Sequence, residues 1–353
     1  MKMLKHNYMA KTNKLSFNPH KVTKSFLAVL PERSRSVLKK RFGLDEDSPR
    51  MTLEAIGKVY KITRERVRQI ENSALGAIRK SEVFGTYKNV FEELKNLMNE
   101  FGGIVHEQDF LEHISKDKDF QNQVNFFLVL GEEFDKLKED EEFKHRWSLN
   151  PETSQKVQDS LRSLYKSLSD EDLISESDMI MRLFDHLKHV AKDARDEELA
   201  RRWLSLSKKI DKNSLGEWGV AHSPNIKTRG IRDLAYLILR RHGSPMHFGE
   251  VARAITKTFG KEANVATCHN ELIKDKRFVL VGRGLYALSN WGYARGNVRD
   301  IVRTIIEKDG PQTKEEVLKK VLRERYVKEN TVLVNLQNGK YFKKDKDGKY
   351  SIA

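Results

Sequence analysis

The sequence predicts a mainly α protein: an N-terminal helix-turn-helix, then an array of about four winged helices, each three helices closed by a small β-hairpin wing. Three observations carry that reading. Two short capped helices meet near residues 61–63, and the second has a polar stripe opposite an apolar one. Beyond residue 85, an acidic residue followed by two apolar positions four apart recurs four times. The last two of these segments end in paired short β runs around turns that carry glycine.

Composition narrows the class. The 353 residues are 38% hydrophobic and 33% charged with only 7 prolines, which suits a helix-rich soluble chain. The best apolar run, 126–130, is far short of the roughly 18–20 residues that cross a bilayer, so no membrane role is expected. The basic N-terminus has no apolar core behind it, unlike a secretory signal. The single cysteine, Cys268, can form neither an internal disulfide nor a multi-cysteine zinc site, which points to a reducing, intracellular setting.

The net charge of +15 is unevenly spread. Residues 1–80 carry 19 Lys/Arg against 7 Asp/Glu, a net of +12. Residues 81–220 carry 20 against 30, a net of −10, and residues 221–353 carry 27 against 14, a net of +13. Two basic ends around an acidic middle suggest separate modules, with polyanion contact at the ends.

Residues 1–21, with Lys2, Lys5, Lys11 and Lys14 and little periodic apolar signal, read as a basic flexible arm. From Val22 onward Phe26, Leu27, Leu30, Val37, Leu38 and Phe42 recur at helical spacing, interrupted by Pro31, and Gly43 suits a C-terminal cap. Thr52 caps a short helix through Leu53, Ile56 and Val59, and Thr63 caps the next, which runs to about Arg79. Val67, Ile70, Ala74 and Ile78 share one face of it; Arg64, Glu65, Arg68, Gln69 and Asn72 share the other. Arg presents a donor pair that fits guanine and Gln can pair an adenine edge, so the stripe is a candidate reader of duplex DNA. A merely solvated charged face remains the alternative.

The residues Thr52-Leu53-Glu54-Ala55-Ile56-Gly57 and Ile62-Thr63-Arg64-Glu65-Arg66-Val67-Arg68-Gln69-Ile70-Glu71 closely resemble region 4 of primary bacterial sigma factors. Leu30-Pro31-Glu32 and Val37-Leu38-Lys39-Lys40-Arg41-Phe42-Gly43-Leu44 resemble the first half of that region, and the likeness covers roughly residues 22–80. The resemblance implies binding of the −35 promoter element and docking on the flap of the RNA polymerase β subunit. It further implies that Arg64, Glu65, Arg68 and Gln69 face bases, while Leu53, Glu54 and Thr63 touch the backbone or neighbouring base edges. Nothing elsewhere resembles the aromatic-rich helices with which sigma factors melt the −10 element, so initiation with core polymerase alone is not expected.

The four repeated segments are Asp109 with Phe110 and Ile114, Asp178 with Met179 and Leu183, Glu250 with Val251 and Ile255, and Glu316 with Val317 and Val321. Ser175 and Thr313 stand three residues before Asp178 and Glu316, the spacing of a capping box, and His106 and His247 hold the corresponding positions in the other two. A longer amphipathic helix opens each repeat, over 90–101, 157–168, 231–239 and 298–306. Thr267, Phe278 and Tyr286 correspond to Thr331, Phe342 and Tyr350 at a constant offset of 64. Gly282-Arg283-Gly284 and Asp345-Lys346-Asp347-Gly348 lie between the strands as hairpin turns. Expected domains are thus 22–84 for the helix-turn-helix and 85–150, 151–227, 228–294 and 295–353 for the winged helices.

The third repeat resembles the HARE-HTH domain at Arg232-Asp233-Leu234-Ala235, His247-Phe248-Gly249-Glu250, His269-Asn270-Glu271-Leu272-Ile273 and the stretch from Phe278 to Leu288. That winged-helix family occurs in chromatin proteins, restriction systems and the delta subunit of bacterial RNA polymerase, and its members bind DNA, proteins or both.

Other signals carry less. His186 and His189, and His242 and His247, lack a completing ligand at usual spacing, so neither a metal nor another cofactor is expected. Gly282-Arg283-Gly284 lacks the Lys-Ser/Thr of a phosphate loop and reads as a wing tip, from which Arg283 can reach a phosphate or the minor groove. Trp218 and Trp291 read as core or wing anchors, Cys268 as a helix residue, and the acidic run 139–142 as part of the first wing. No catalytic constellation stands out, so an enzyme is not expected. The expected role is a DNA-binding transcription protein that recognises duplex promoter DNA and contacts RNA polymerase. The alternatives are a delta-like polymerase scaffold acting through protein contacts, and an accessory of a restriction system.

Overall fold

The computed structural model describes residues 15–187, 196–293 and 296–353, which group into two compact units, one reaching to Asp211 with Trp218–Ala221, the other made of Lys212–Glu217 and His222–Ala353. The lysines at 2, 5, 11 and 14, and His189, lie outside the described residues.

The first unit opens with α1 (Pro19–Ala28), which starts ahead of Val22 because Asn18 caps it and Pro19 is preset for a first helical turn. Leu15 just before it is buried. Pro31 ends the link to α2 (Glu32–Phe42), and Gly43 closes that helix in the left-handed conformation at φ 63°. Then come α3 (Leu53–Tyr60) and α4 (Arg64–Arg79), the helix-turn-helix, and a short α5 (Glu82–Thr86).

The first winged helix follows as α6 (Lys88–Glu100), β1 (Ile104–His106), α7 (Glu107–Ile114), α8 (Lys118–Leu130), β2 (Asp135–Leu137) and β3 (Arg146–Ser148). Its sheet is antiparallel in the order β1-β3-β2, with Val105 and Lys136 both opposite Trp147. The second comprises α9 (Pro151–Lys166), α10 (Glu176–His186), α11 (Glu197–Leu204) and the paired β4 (Ile210–Lys212) and β5 (Trp218–Val220). A bridge from Ile174 to Trp218 stands where a first strand would be.

The second unit holds two more. One is α12 (Ile231–His242), β6 (Met246–His247), α13 (Phe248–Phe259), α14 (Val265–Lys274), β7 (Phe278–Leu280) and β8 (Leu285–Leu288), with sheet order β6-β8-β7. The other is α15 (Val298–Asp309), β9 (Gln312–Thr313), α16 (Lys314–Glu324), α17 (Glu329–Leu336), β10 (Phe342–Lys344) and β11 (Lys349–Ile352), with sheet order β10-β11-β9. The chain is therefore mainly α, with a helix-turn-helix ahead of an array of winged helices.

The repeated apolar pairs explain why one topology recurs. Phe110 and Ile114, Met179 and Leu183, Val251 and Ile255, and Val317 and Val321 are all at most 1% exposed, each pair on the second helix of its repeat. Ser175, His247 and Thr313 accept N-terminal amides of those helices as caps. His106 makes no such cap bond; its Nδ1 lies 3.0 Å from Asp109 Oδ1 instead. The offset of 64 survives in register, since Leu280 faces Tyr286 and Lys344 faces Tyr350.

The cores do not follow the repeats one for one. Buried residues of α1, α2, the end of α4 and the first winged helix form one continuous cluster, in which Phe42 meets Phe126 at 5.2 Å and Phe26 meets Phe127 at 6.0 Å. Burial of large aromatics at this density makes helix-turn-helix and first winged helix a single packed body. The second cluster takes in Phe143 from the first wing, whereas the third and fourth winged helices each have a core of their own.

Candidate nucleic-acid interface

The turn between α3 and α4 is tightly specified. Lys61 adopts the left-handed conformation at φ 54°, the Ile62 amide donates to the Gly57 carbonyl at 2.9 Å, and Thr63 Oγ1 accepts from the Arg66 amide at 3.1 Å. A Cβ at Gly57 would stand 2.7 Å from the Ile62 carbonyl oxygen, so only glycine allows this approach. Val67 packs with Val37 and Ile56 in a small fully buried core under the two helices. That contact sets which face of α4 points outward.

Arg64, Glu65, Arg68, Gln69 and Asn72 are all exposed on that outward face. Arg68 donates to both carboxylate oxygens of Glu65, Nε to Oε2 at 2.9 Å and Nη2 to Oε1 at 2.7 Å. This hydrogen bond, with the charges of Arg68 and Arg64, holds the Glu65 carboxyl below the usual range. Arg66, which the sequence reading left out of the stripe, donates to Gln69 Oε1 at 2.9 Å. Glu54 pairs with Lys58 at 3.0 Å, and its carboxyl is lowered chiefly by that hydrogen bond. Leu53 is half-buried against the small core, and Thr63 is exposed. A groove of about 350 Å³ between the starts of α3 and α4 is lined by Arg41, Thr52, Leu53, Glu54 and Arg64. Two helix N-termini beside cationic side chains suit phosphate oxygens. The stripe residues thus come together on one surface, while Arg283 is exposed on the β7–β8 turn of the other unit.

The third helices of the winged helices, which occupy the place of α4 in their own folds, differ sharply. In α8 Gln121, Gln123, Val124, Asn125, Phe126 and Phe127 are all buried. Asn122 donates to the Gly43 carbonyl at 3.0 Å and accepts from Arg50 Nε at 2.6 Å, both partners in the helix-turn-helix module. For α11, Arg202 donates to the Glu100 carbonyl at 3.0 Å and stacks over Phe101, and a Cβ at Gly102 would strike Leu199 and Trp203. Both helices are occupied by neighbours within their unit. By contrast, α14 leaves Val265 at 43% and Ile273 at 61% exposed, and α17 leaves Val334 at 67%.

The wings also divide. The first is acidic and clasped: Glu139 pairs with Lys208 at 2.7 Å, Glu142 with Arg162 at 2.8 Å, and Phe143 is buried in the second core. The third is anchored where the Tyr326 amide donates to the Val281 carbonyl at 2.7 Å, beside Gly282, yet Arg283 stays exposed. Trp218 is buried and Trp291 packs against the third core. Cys268 is buried in α14, and burial pushes its thiol up to about 11. Among the described residues no three His, Cys, Asp or Glu side chains gather as metal ligands, and no helix is long and apolar enough to cross a membrane.

On α17 Asn330, Thr331 and Val334 are exposed and Asn335 is half-buried with its amide donating to the Thr331 carbonyl at 2.7 Å, a helix face to which the sequence reading gave no role. The signal was present: they repeat the steps of one, four and five that link Arg64, Glu65, Arg68 and Gln69.

Residues 26–80 match the family described as Sigma-70, region 4, and residues 230–291 match HARE-HTH, a helix-turn-helix domain family whose description includes ASXL and restriction endonuclease. Over 55 residues the chain is 53% identical to the RNA polymerase sigma factor RpoD of Helicobacter pylori, a stretch covering 16% of this chain and 8% of that protein. Over 53 residues it is 55% identical to the RNA polymerase sigma factor SigA of a Bacillus species, covering 15% of this chain and 14% of that protein. The chain thus spans well under a fifth of the relatives it matches. The sigma region 4 and HARE-HTH resemblances read from the residues are both found again.

Proposed function

We propose that the chain is a non-enzymatic transcription protein that reads duplex promoter DNA through the exposed stripe of α4 and contacts RNA polymerase. One observation carries the reading: the polar stripe is presented outward on a capped helix whose opposite face is buried, within a segment that matches Sigma-70, region 4. In this reading Arg64, Arg68 and Gln69 address base edges, Glu65 holds the Arg68 fork, Leu53, Glu54 and Thr63 border the backbone, and Arg283 meets a phosphate elsewhere on the DNA. The cytoplasm, at the nucleoid, is the setting this implies.

Contact with the polymerase β flap belongs to the same proposal, under a constraint. The apolar face shared by α1, α2 and the end of α4 is covered by α6 and α8. A flap contact would therefore use what stays open at α1 and α2, where a groove of about 470 Å³ is rimmed by Lys24, Leu27, Arg35, Lys39, Asp45 and Glu46.

A second reading, a polymerase-bound scaffold acting mainly through protein contacts, is favoured by the acidic 81–220 segment, whose third helices α8 and α11 are covered. Footprinting on a selected duplex, with and without core polymerase, separates the two. Protection by the protein alone supports direct reading; protection only with polymerase supports the scaffold.

A further inference from the structure

We propose that the exposed face of α17, with the lysines of the wing that follows it, is a second duplex-reading surface, suited to a major groove containing A·T pairs. The proposal rests on the reading of the chain as a DNA-binding protein and adds a site in the other unit.

The face is well defined. Val332 and Leu336 point into the fourth core at 0% and 1% exposure, which leaves Asn330, Thr331 and Val334 outward at steps of one and four. The helix is held from behind by that core, so the outward side chains stand on a rigid support. Their chemistry is that of base edges: a carboxamide can pair both N6 and N7 of adenine, while the methyl groups of Thr and Val fit against the thymine C5-methyl. The α14 helix exposes Thr267 and Asn270 beside Val265 and Ile273, so side-chain type alone does not single out α17; its flanking lysines do.

Around α17 five exposed lysines outnumber the exposed carboxylates of Glu329, Asp345 and Asp347, a balance that favours phosphate. Lys328 precedes the helix, Lys340 follows it, and Lys343, Lys344 and Lys346 lie on the hairpin, all exposed. None of these five takes part in an ion pair among the described residues, unlike Lys320, which pairs with Asp309 at 2.7 Å. The nearby carboxylate of Asp345 accepts the backbone amides of Asp347 and Lys349 and serves the turn. Cations without carboxylate partners beside a rigid amide-bearing helix are what a phosphate-flanked groove requires. A neutral protein partner would need neither.

The test uses the full chain carrying Arg68→Ala, so that α4 contributes little specificity. Duplexes of equal length, one with A·T pairs and one of G·C pairs only, are titrated by fluorescence anisotropy at two salt concentrations. The expected result is continued binding with a preference for the A·T-containing duplex. Adding Asn330→Ala should reduce that preference about 5- to 150-fold, the span of one lost bidentate base contact. Replacing Lys343, Lys344 and Lys346 by Gln should lower the slope of log affinity against log salt by about 2–3, near one per phosphate contact removed. An unchanged preference with Asn330→Ala and an unchanged slope with the lysine variant would overturn the proposal, as would loss of all binding with Arg68→Ala alone. Failure of Arg68→Ala to alter recognition of any sequence would count against the α4 reading and leave this one standing.

Discussion

The side-chain amide of Asn122 donates to the carbonyl of Gly43 at 3.0 Å, joining the middle of the first winged helix's third helix to the end of α2. A residue in the position of a DNA reader is here an internal fastening. Arg50 closes the same contact by donating to Asn122 at 2.6 Å while its guanidinium lies 3.9 Å from Glu107. The helix-turn-helix is therefore fastened into a larger packed body.

Phe126→Ala should destabilise both modules at once. Phe126 is fully buried and packs 5.2 Å from Phe42, so truncation should cost roughly 3–5 kcal/mol. Hydrogen exchange checks it: amides of α2 and α8 should lose protection together. Protection lost in α8 but retained in α2 would mean two independent folding units.

Gly57→Ala tests the turn. The added methyl meets the Ile62 carbonyl at 2.7 Å, and backbone on both sides leaves nothing flexible to yield. A loss of about 1–3 kcal/mol is expected from such overpacking. Thermal unfolding should show it, and duplex binding should weaken with it because Thr63 and α4 follow directly. An unchanged melting temperature would show that the turn relaxes freely.

Arg68→Ala is expected to cost about 1–3 kcal/mol at a preferred site and to relax specificity there. Glu65→Gln should release the Arg68 fork, which now donates to both Glu65 oxygens, and so change base preference more than affinity. Binding selection from randomised duplexes reads both effects. Uniform weakening across all sequences would make Arg68 a phosphate contact only.

Glu107 predicts acid sensitivity of the join between the two modules. Burial alone would raise its carboxyl, but Lys136 at 2.7 Å, Arg50 and the Trp147 indole, donating at 3.0 Å, together hold it below the ordinary range. A carboxyl lowered in the folded state stabilises fully above its unfolded value, and that stability is lost as pH falls through the folded one. Unfolding measured from neutral to acid pH should thus show a loss that Glu107→Gln makes smaller. Parallel profiles for the two proteins would remove Glu107 as the cause.

The charge break bears on how fragments are made. A cut at residue 80 passes through the shared core of Leu15 to Trp147, so an isolated 81–220 piece would lose the packing partners that α1, α2 and α4 supply. Comparing the basic ends with the acidic middle is better done by substitution in the whole chain.

The caps at Thr52 and Thr63, the left-handed Gly43, the stripe on α4 and the buried pairs from Phe110 to Val321 were all legible in the sequence. They depend on neighbours within a few residues, where side-chain chemistry and helical period act directly. The run Phe126-Phe127-Leu128 was noticed only as too short for a membrane, although an apolar run in a short helix also marks burial on several sides. Which third helices face outward was settled in three dimensions. Periodicity says which side of a helix is apolar, but α8 is covered only because Gly43, Arg50 and Phe42, far earlier in the chain, fold onto it. That complementarity belongs to two surfaces together, and neither segment records it alone.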